Sequence, residues 1–126
     1  MNLVRPITRA DIKGPAIYTQ IRDDFRNRVI EMKKDRRVVL GDRVELVFDN
    51  LFTLRLQIEE TCRLENLTNE ALIAEEIRAS NELMPTENSL AATLFIAVAP
   101  GADAQVVLRE RVGLDEHLVM HVGPHA

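Results

Sequence analysis

Residues 90–98 are apolar on both sides of an extended chain. Leu90, Ala92, Leu94, Ile96 and Val98 fall on one side, and Ala91, Thr93, Phe95 and Ala97 on the other. A strand of this kind is stable only when both sides are covered, which predicts a central position in a sheet. The whole chain has 126 residues, enough for one domain with its own core and no more. Its few helices do not obviously cover both sheet faces. A second copy of the chain is therefore expected over one of them, giving a homodimer.

The remaining elements follow from spacing and punctuation. Thr8 and Asp11 mark a weak helix start, and Gly14-Pro15 breaks and restarts the chain. Ile17, Ile21, Phe25, Arg28 and Met32 recur at helical spacing, with Tyr18 and Val29 widening the stripe, so a helix is predicted over 16–34. Val38-Val39-Leu40, the turn Gly41-Asp42, and the alternation of Val44, Leu46 and Phe48 with Glu45 and Val47 predict a hairpin. Asp49-Asn50 caps a second helix over 51–65, with Leu51, Leu54, Ile58 and Cys62 inward. A third helix follows a Thr68 cap, with Leu72, Ile73, Ile77 and Leu83 inward, and Pro85 ends it. A short helix over 104–112 and a last strand over 118–122 complete the order. The expectation is a single α+β domain over 1–126, with loose termini at 1–7 and 123–126. Its small, mostly antiparallel sheet of about four strands carries helices packed on one side.

Charge and composition exclude several classes. The net charge is −4, which argues against general nucleic-acid binding. The charge is uneven: residues 22–43 carry +3 and residues 59–87 carry −6. No apolar run approaches the roughly 20 residues of a membrane helix, and residues 1–8 lack the apolar stretch of a secretory signal, so a cytoplasmic protein is expected. Cys62 is the only cysteine, which removes intrachain disulfides and CxxC metal or redox motifs. No phosphate loop, GxGxxG, GxSxG, HExxH or EF-hand loop is present. No cofactor is expected.

Three groups of residues can carry chemistry. His117 and His121 point to the same side of a strand and are the weak candidates for metal ligation; incidental histidines are the favoured reading. The polar stripe with Gln57 and Glu60 borders the apolar row of the second helix. It either braces the fold through an arginine, with Arg36 or Arg37 the expected partner of Glu60, or lines a polar pocket with Arg37 and Asn81. The basic run at 33–37 suits a phosphate or carboxylate, or simply a solvated helix end. Cys62 reads as a small core residue.

Several strings in order resemble the uncharacterised bacterial family known as domain of unknown function 3501. They are Arg28-Val29-Ile30 with Lys33, Arg36-Arg37-Val38 through Leu40-Gly41-Asp42, Phe48-Asp49-Asn50 with Thr53, Gln57-Ile58 with Glu60, Asn81-Glu82-Leu83-Met84-Pro85, and Leu90-Ala91-Ala92-Thr93-Leu94. The resemblance spans about residues 6–122. It implies no agreed activity, cofactor or catalytic residue. It does imply an accessory role beside rubrerythrin-like proteins and iron–sulfur oxidoreductases, whose genes neighbour those of the family. The leading expectation is a non-enzymatic accessory or interaction protein, a homodimer, with a protein partner in such a redox or oxidative-stress system. The alternatives are a small-ligand-binding protein or enzyme around Arg37, Gln57, Glu60 and Asn81, and a metal-binding protein.

Overall fold

The computed structural model describes residues 3–41, 43–97, 105 and 118–120. Along the chain run a 3-10 turn (Arg9–Asp11), α1 (Pro15–Lys33), β1 (Arg37–Leu40), β2 (Val44–Phe48), α2 (Leu51–Glu65), α3 (Glu70–Glu82) and β3 (Ala92–Ile96). Each boundary has a local cause. Gly14 caps α1 at φ +85°, a left-handed backbone that glycine adopts without penalty, and Pro15 fills the first turn. The buried Asn50 side chain accepts hydrogen bonds from the Phe52 and Thr53 amides and starts α2. Asn66, in the left-handed region at φ +50°, ends it, and the Leu67 amide donates back to the Cys62 carbonyl. Asn69, one residue beyond the expected Thr68, caps α3.

The sheet is antiparallel in the order β1-β2-β3. Val38, Leu46 and Leu94 stand in one cross-strand row, and Leu40, Val44 and Ile96 in the next. The described sheet therefore has three strands, not about four. Residues 118–120 of the expected last strand are not extended into a ladder, and 121–122 lie outside the described residues. The helix expected over 104–112 also lies outside them, apart from Gln105. Among the described residues β2 is central and β3 is an edge strand, half-exposed along its length. An apolar pattern on both sides reports a need for cover without saying which strand supplies a neighbour.

The core lies between helices rather than between helices and sheet. One buried cluster joins Ile7 and Ile12 to Leu54, Ile58 and Cys62 of α2 and to Ile73 and Ile77 of α3. A second joins Tyr18 and Val29 of α1 to Leu56 of α2, flanked by Phe25 and Phe52. The buried face of α1 is turned by about one residue from the expected stripe. Tyr18 and Val29 are its centre, while Ile17, Ile21 and Ile30 are exposed. Leu72 of α3 and Leu83, which caps its end, both expected inward, are exposed as well. Two contacts fix the direction of the α1–α2 pair. Glu59, late in α2, binds the backbone before α1, and Asn50, before α2, donates to Met32 Sδ late in α1 (3.2 Å). The two helices therefore run antiparallel.

Candidate functional site

Of the four residues expected to converge on a polar pocket, Asn81, Arg37 and Glu60 are engaged elsewhere, and none of the five described cavities is lined by any of the four. Asn81 accepts from the Ile7 amide (2.8 Å) and donates to the Ile7 carbonyl (3.0 Å), stitching the N-terminal segment to α3. Arg37 pairs with Glu45 across the hairpin at 3.7 Å. Gln57 is half-buried on α2.

Glu60 is the hub of an arginine cluster. Arg22 Nε donates to both of its oxygens and Arg22 Nη2 to Oε1 (2.9 Å), Arg63 Nε donates to Oε2 (2.9 Å), and Arg26 Nε stands 3.6 Å away. Burial pushes the Glu60 carboxyl up, but the hydrogen bonds from Arg22 and Arg63 outweigh it and hold the group below its ordinary value. An arginine partner is thus present, drawn from α1 and α2 rather than from Arg36 or Arg37. The antiparallel packing of α1 on α2 sets Arg22 over Glu60, while Arg37 is carried away on the sheet.

The neighbouring Glu59, unmarked by the sequence pattern, is the most deeply buried charge among the described residues. It is 0% exposed and accepts from the Lys13 and Gly14 amides at 3.0–3.1 Å, fixing the entry to α1. Asp49, also buried, accepts from Thr53 Oγ1 (2.9 Å) and Thr93 Oγ1 (2.7 Å), tying α2 to β3. Burial and then Glu59 push the Cys62 thiol up, as suits a core residue rather than a nucleophile. His117 and His121 lie outside the described residues, and among the described residues no three His, Cys, Asp or Glu side chains are grouped to hold a metal.

Among the described residues, the helices leave one face of the sheet uncovered. The register puts Val38, Leu40, Val44, Leu46, Phe48, Ala92, Leu94 and Ile96 on one face, with no polar side chain among them. Leu118, Val119 and Met120 lie near its β1 side, around a cavity of about 290 Å³ shared with Val38, Leu40, Leu46 and Phe48. β1 is exposed along its whole length, Val38 at 42% and Val39 at 62%, and Phe95 on the opposite face is 41% exposed. A second cavity of about 380 Å³ at the sheet end is lined by Val39, Arg43, Val44, Glu45, Phe95 and Ile96, with Ala97 beside them. This sheet, apolar on one face and open along one edge among the described residues, is the candidate interaction surface.

No helix of the described residues is long and apolar enough to cross a membrane. Curated proteins offer no match. A crystal structure of a novel protein of unknown function from Burkholderia pseudomallei is similar to this chain, with a TM-score of 0.75 and 32% identity. The similarity covers 85% of this chain and 60% of that one, so the chain spans about three-fifths of the relative's length. The family model described as protein of unknown function (DUF3501) matches residues 6–126, and the chain belongs to that family.

Proposed function

We propose that this chain is a non-enzymatic accessory protein that works as a two-fold dimer joined through its sheet, and that the dimer serves a protein partner. The observation that carries the reading is the uncharged face of eight side chains beside an edge strand exposed from Arg37 to Leu40. A second copy suits this surface for two reasons. No charge on the face is set against itself by a symmetric contact. Antiparallel pairing of β1 with its own copy is two-fold by geometry, so the contact closes.

Magnitude selects edge pairing over simple stacking. Three strands about 4.8 Å apart and about five residues long at 3.3 Å each give a face of roughly 240 Å² in plan. That falls well short of the roughly 800 Å² per partner of a stable interface. Main-chain hydrogen bonds along β1 add directional contacts that stacking lacks, and they join the two apolar faces edge to edge. The buried carboxylates support a non-catalytic role, since Glu59 and Asp49 spend their oxygens on the backbone and on threonine hydroxyls. A partner in an iron–sulfur or rubrerythrin-like system is what the family resemblance implies.

Hydrogen exchange tests the reading. β1 amides should become protected as the protein is concentrated from nanomolar to tens of micromolar, and Val39→Lys should abolish that protection. Concentration-independent exchange in β1 would contradict it. For the partner, capture from the native host should enrich an iron–sulfur or rubrerythrin-like protein, and loss of that enrichment in Val39→Lys would tie it to the dimer.

A further inference from the structure

A separate feature lies on the helical side of the molecule. Arg5, Arg9, Arg22, Arg26, Arg37, Arg63 and Arg78 each stand within ion-pair distance of a carboxylate. Four described arginines, Arg28, Arg36, Arg43 and Arg55, have no such partner among the described residues, and of these Arg28 of α1 and Arg55 of α2 share a cavity. Twenty-seven positions apart in sequence, they are brought together by the antiparallel packing of the two helices. Both line a half-open cavity of about 240 Å³ whose other walls are Phe25, Val29, Met32 and Phe52. A second cavity, of about 270 Å³, adjoins it through Phe25, Arg28 and Arg55 and has Asp24 at its rim. Two guanidinium groups against one carboxylate leave the cleft with a net positive charge.

The geometry of Arg55 sharpens this. Its guanidinium carbon lies 4.6 Å from the centre of the Phe25 ring, a stacked arrangement that holds the group in place. Its Nε is buried, and among the described residues it has no hydrogen-bond acceptor. A buried donor without an acceptor is costly, and a charged one more so. Nε itself is enclosed, so the donors open to a ligand are the two Nη groups, which also have no acceptor among the described residues.

We propose that the α1–α2 cleft binds a small organic anion whose oxyanion group bridges Arg28 and Arg55 and whose apolar body lies on Phe25, Phe52 and Met32. Arginine pairs two oxygens of one oxyanion through two parallel hydrogen bonds, which suits a carboxylate or a phosphate monoester. The cavity is smaller than the roughly 300–1,000 Å³ of drug-sized sites, so a single ring or a short acyl chain is the size class. The site does not depend on the dimer, because α1 and α2 belong to one chain.

Isothermal titration of the full chain tests the proposal, with phenyl phosphate and benzoate as probes and with inorganic phosphate and benzyl alcohol as their separate halves. One of the organic anions should bind at least about tenfold tighter than either half, and which one does identifies the oxyanion class. Arg55→Gln and Arg28→Gln should each weaken that binding at least about tenfold. Arg43→Gln, at the far end of the sheet, should change it less than about twofold. Circular dichroism checks that the variants fold. Should Arg55→Gln fail to fold, the exposed Arg28 decides. Absence of binding by both organic anions at millimolar concentration, or unchanged affinity in Arg28→Gln, would overturn the proposal.

Discussion

Adjacent glutamates of α2 do different jobs, and their surroundings say why. Glu59 faces the loop before α1 and is spent on two backbone amides, whereas Glu60 faces α1 itself and gathers arginines. The side chains of Glu60, Arg22 and Arg63 are 22%, 26% and 31% exposed, between a surface pair and a buried one. A surface pair is worth at most about 1 kcal/mol, and breaking a buried one costs about 3–5 kcal/mol. By that comparison Glu60→Gln should cost about 2 kcal/mol, read as a lower denaturation midpoint at pH 7. The Glu60 carboxyl titrates below its ordinary 4.5 when folded. Its stabilising contribution is thus fully present above that ordinary value and is lost as pH falls through the lowered folded value. The gap between wild type and Glu60→Gln should accordingly narrow in acid. A gap that holds constant down to about pH 2 would show that the carboxylate's charge is not what stabilises. An arginine partner for Glu60 was legible in the sequence, from a polar residue beside an apolar row. Which arginine was not, because Arg22 meets Glu60 only through the packing of one helix on another. Arg28 left a trace, since it sits within the apolar stripe of α1, but a stripe cannot announce that Arg55 faces it.

Element boundaries were the most legible part, because they are written locally. The hairpin and α2 fall where alternation, turn and cap place them, and α2 spans Leu51–Glu65 as its apolar row predicts. Asn50 is the residue behind that agreement. It is fully buried, and its side chain caps two amides, so Asn50→Ala both uncaps the helix and leaves buried donors unpaired. The expected cost is about 2 kcal/mol, the upper end for a cap. The exposed cap of α3 makes the control, since Asn69→Ala should cost about 0.5–1 kcal/mol. Equal losses of melting temperature in the two variants would mean that burial adds nothing to the Asn50 cap. Elements misread on orientation share one cause. The inward face of α1 is set by Tyr18 and Val29 against α2, and the edge position of β3 among the described strands by its pairing with β2, both relations between distant segments.

At the scale of the molecule, the described helices satisfy one another and leave the sheet with an apolar face. The two buried clusters are built from helices and the N-terminal segment, and strand residues join neither. The need of residues 90–98 for cover was legible from their pattern. Its resolution was not, because the described chain covers neither Phe95 on one face nor β1 along its edge. A second copy paired through β1 covers the open edge and leaves the apolar face continuous across both copies. Light scattering of the purified chain at micromolar concentration measures this directly. The expected result is twice the 14.3 kDa chain mass, falling to the single-chain mass in a folded Val39→Lys variant. A wild-type chain that stays at the single-chain mass across that range would contradict dimerisation through the sheet.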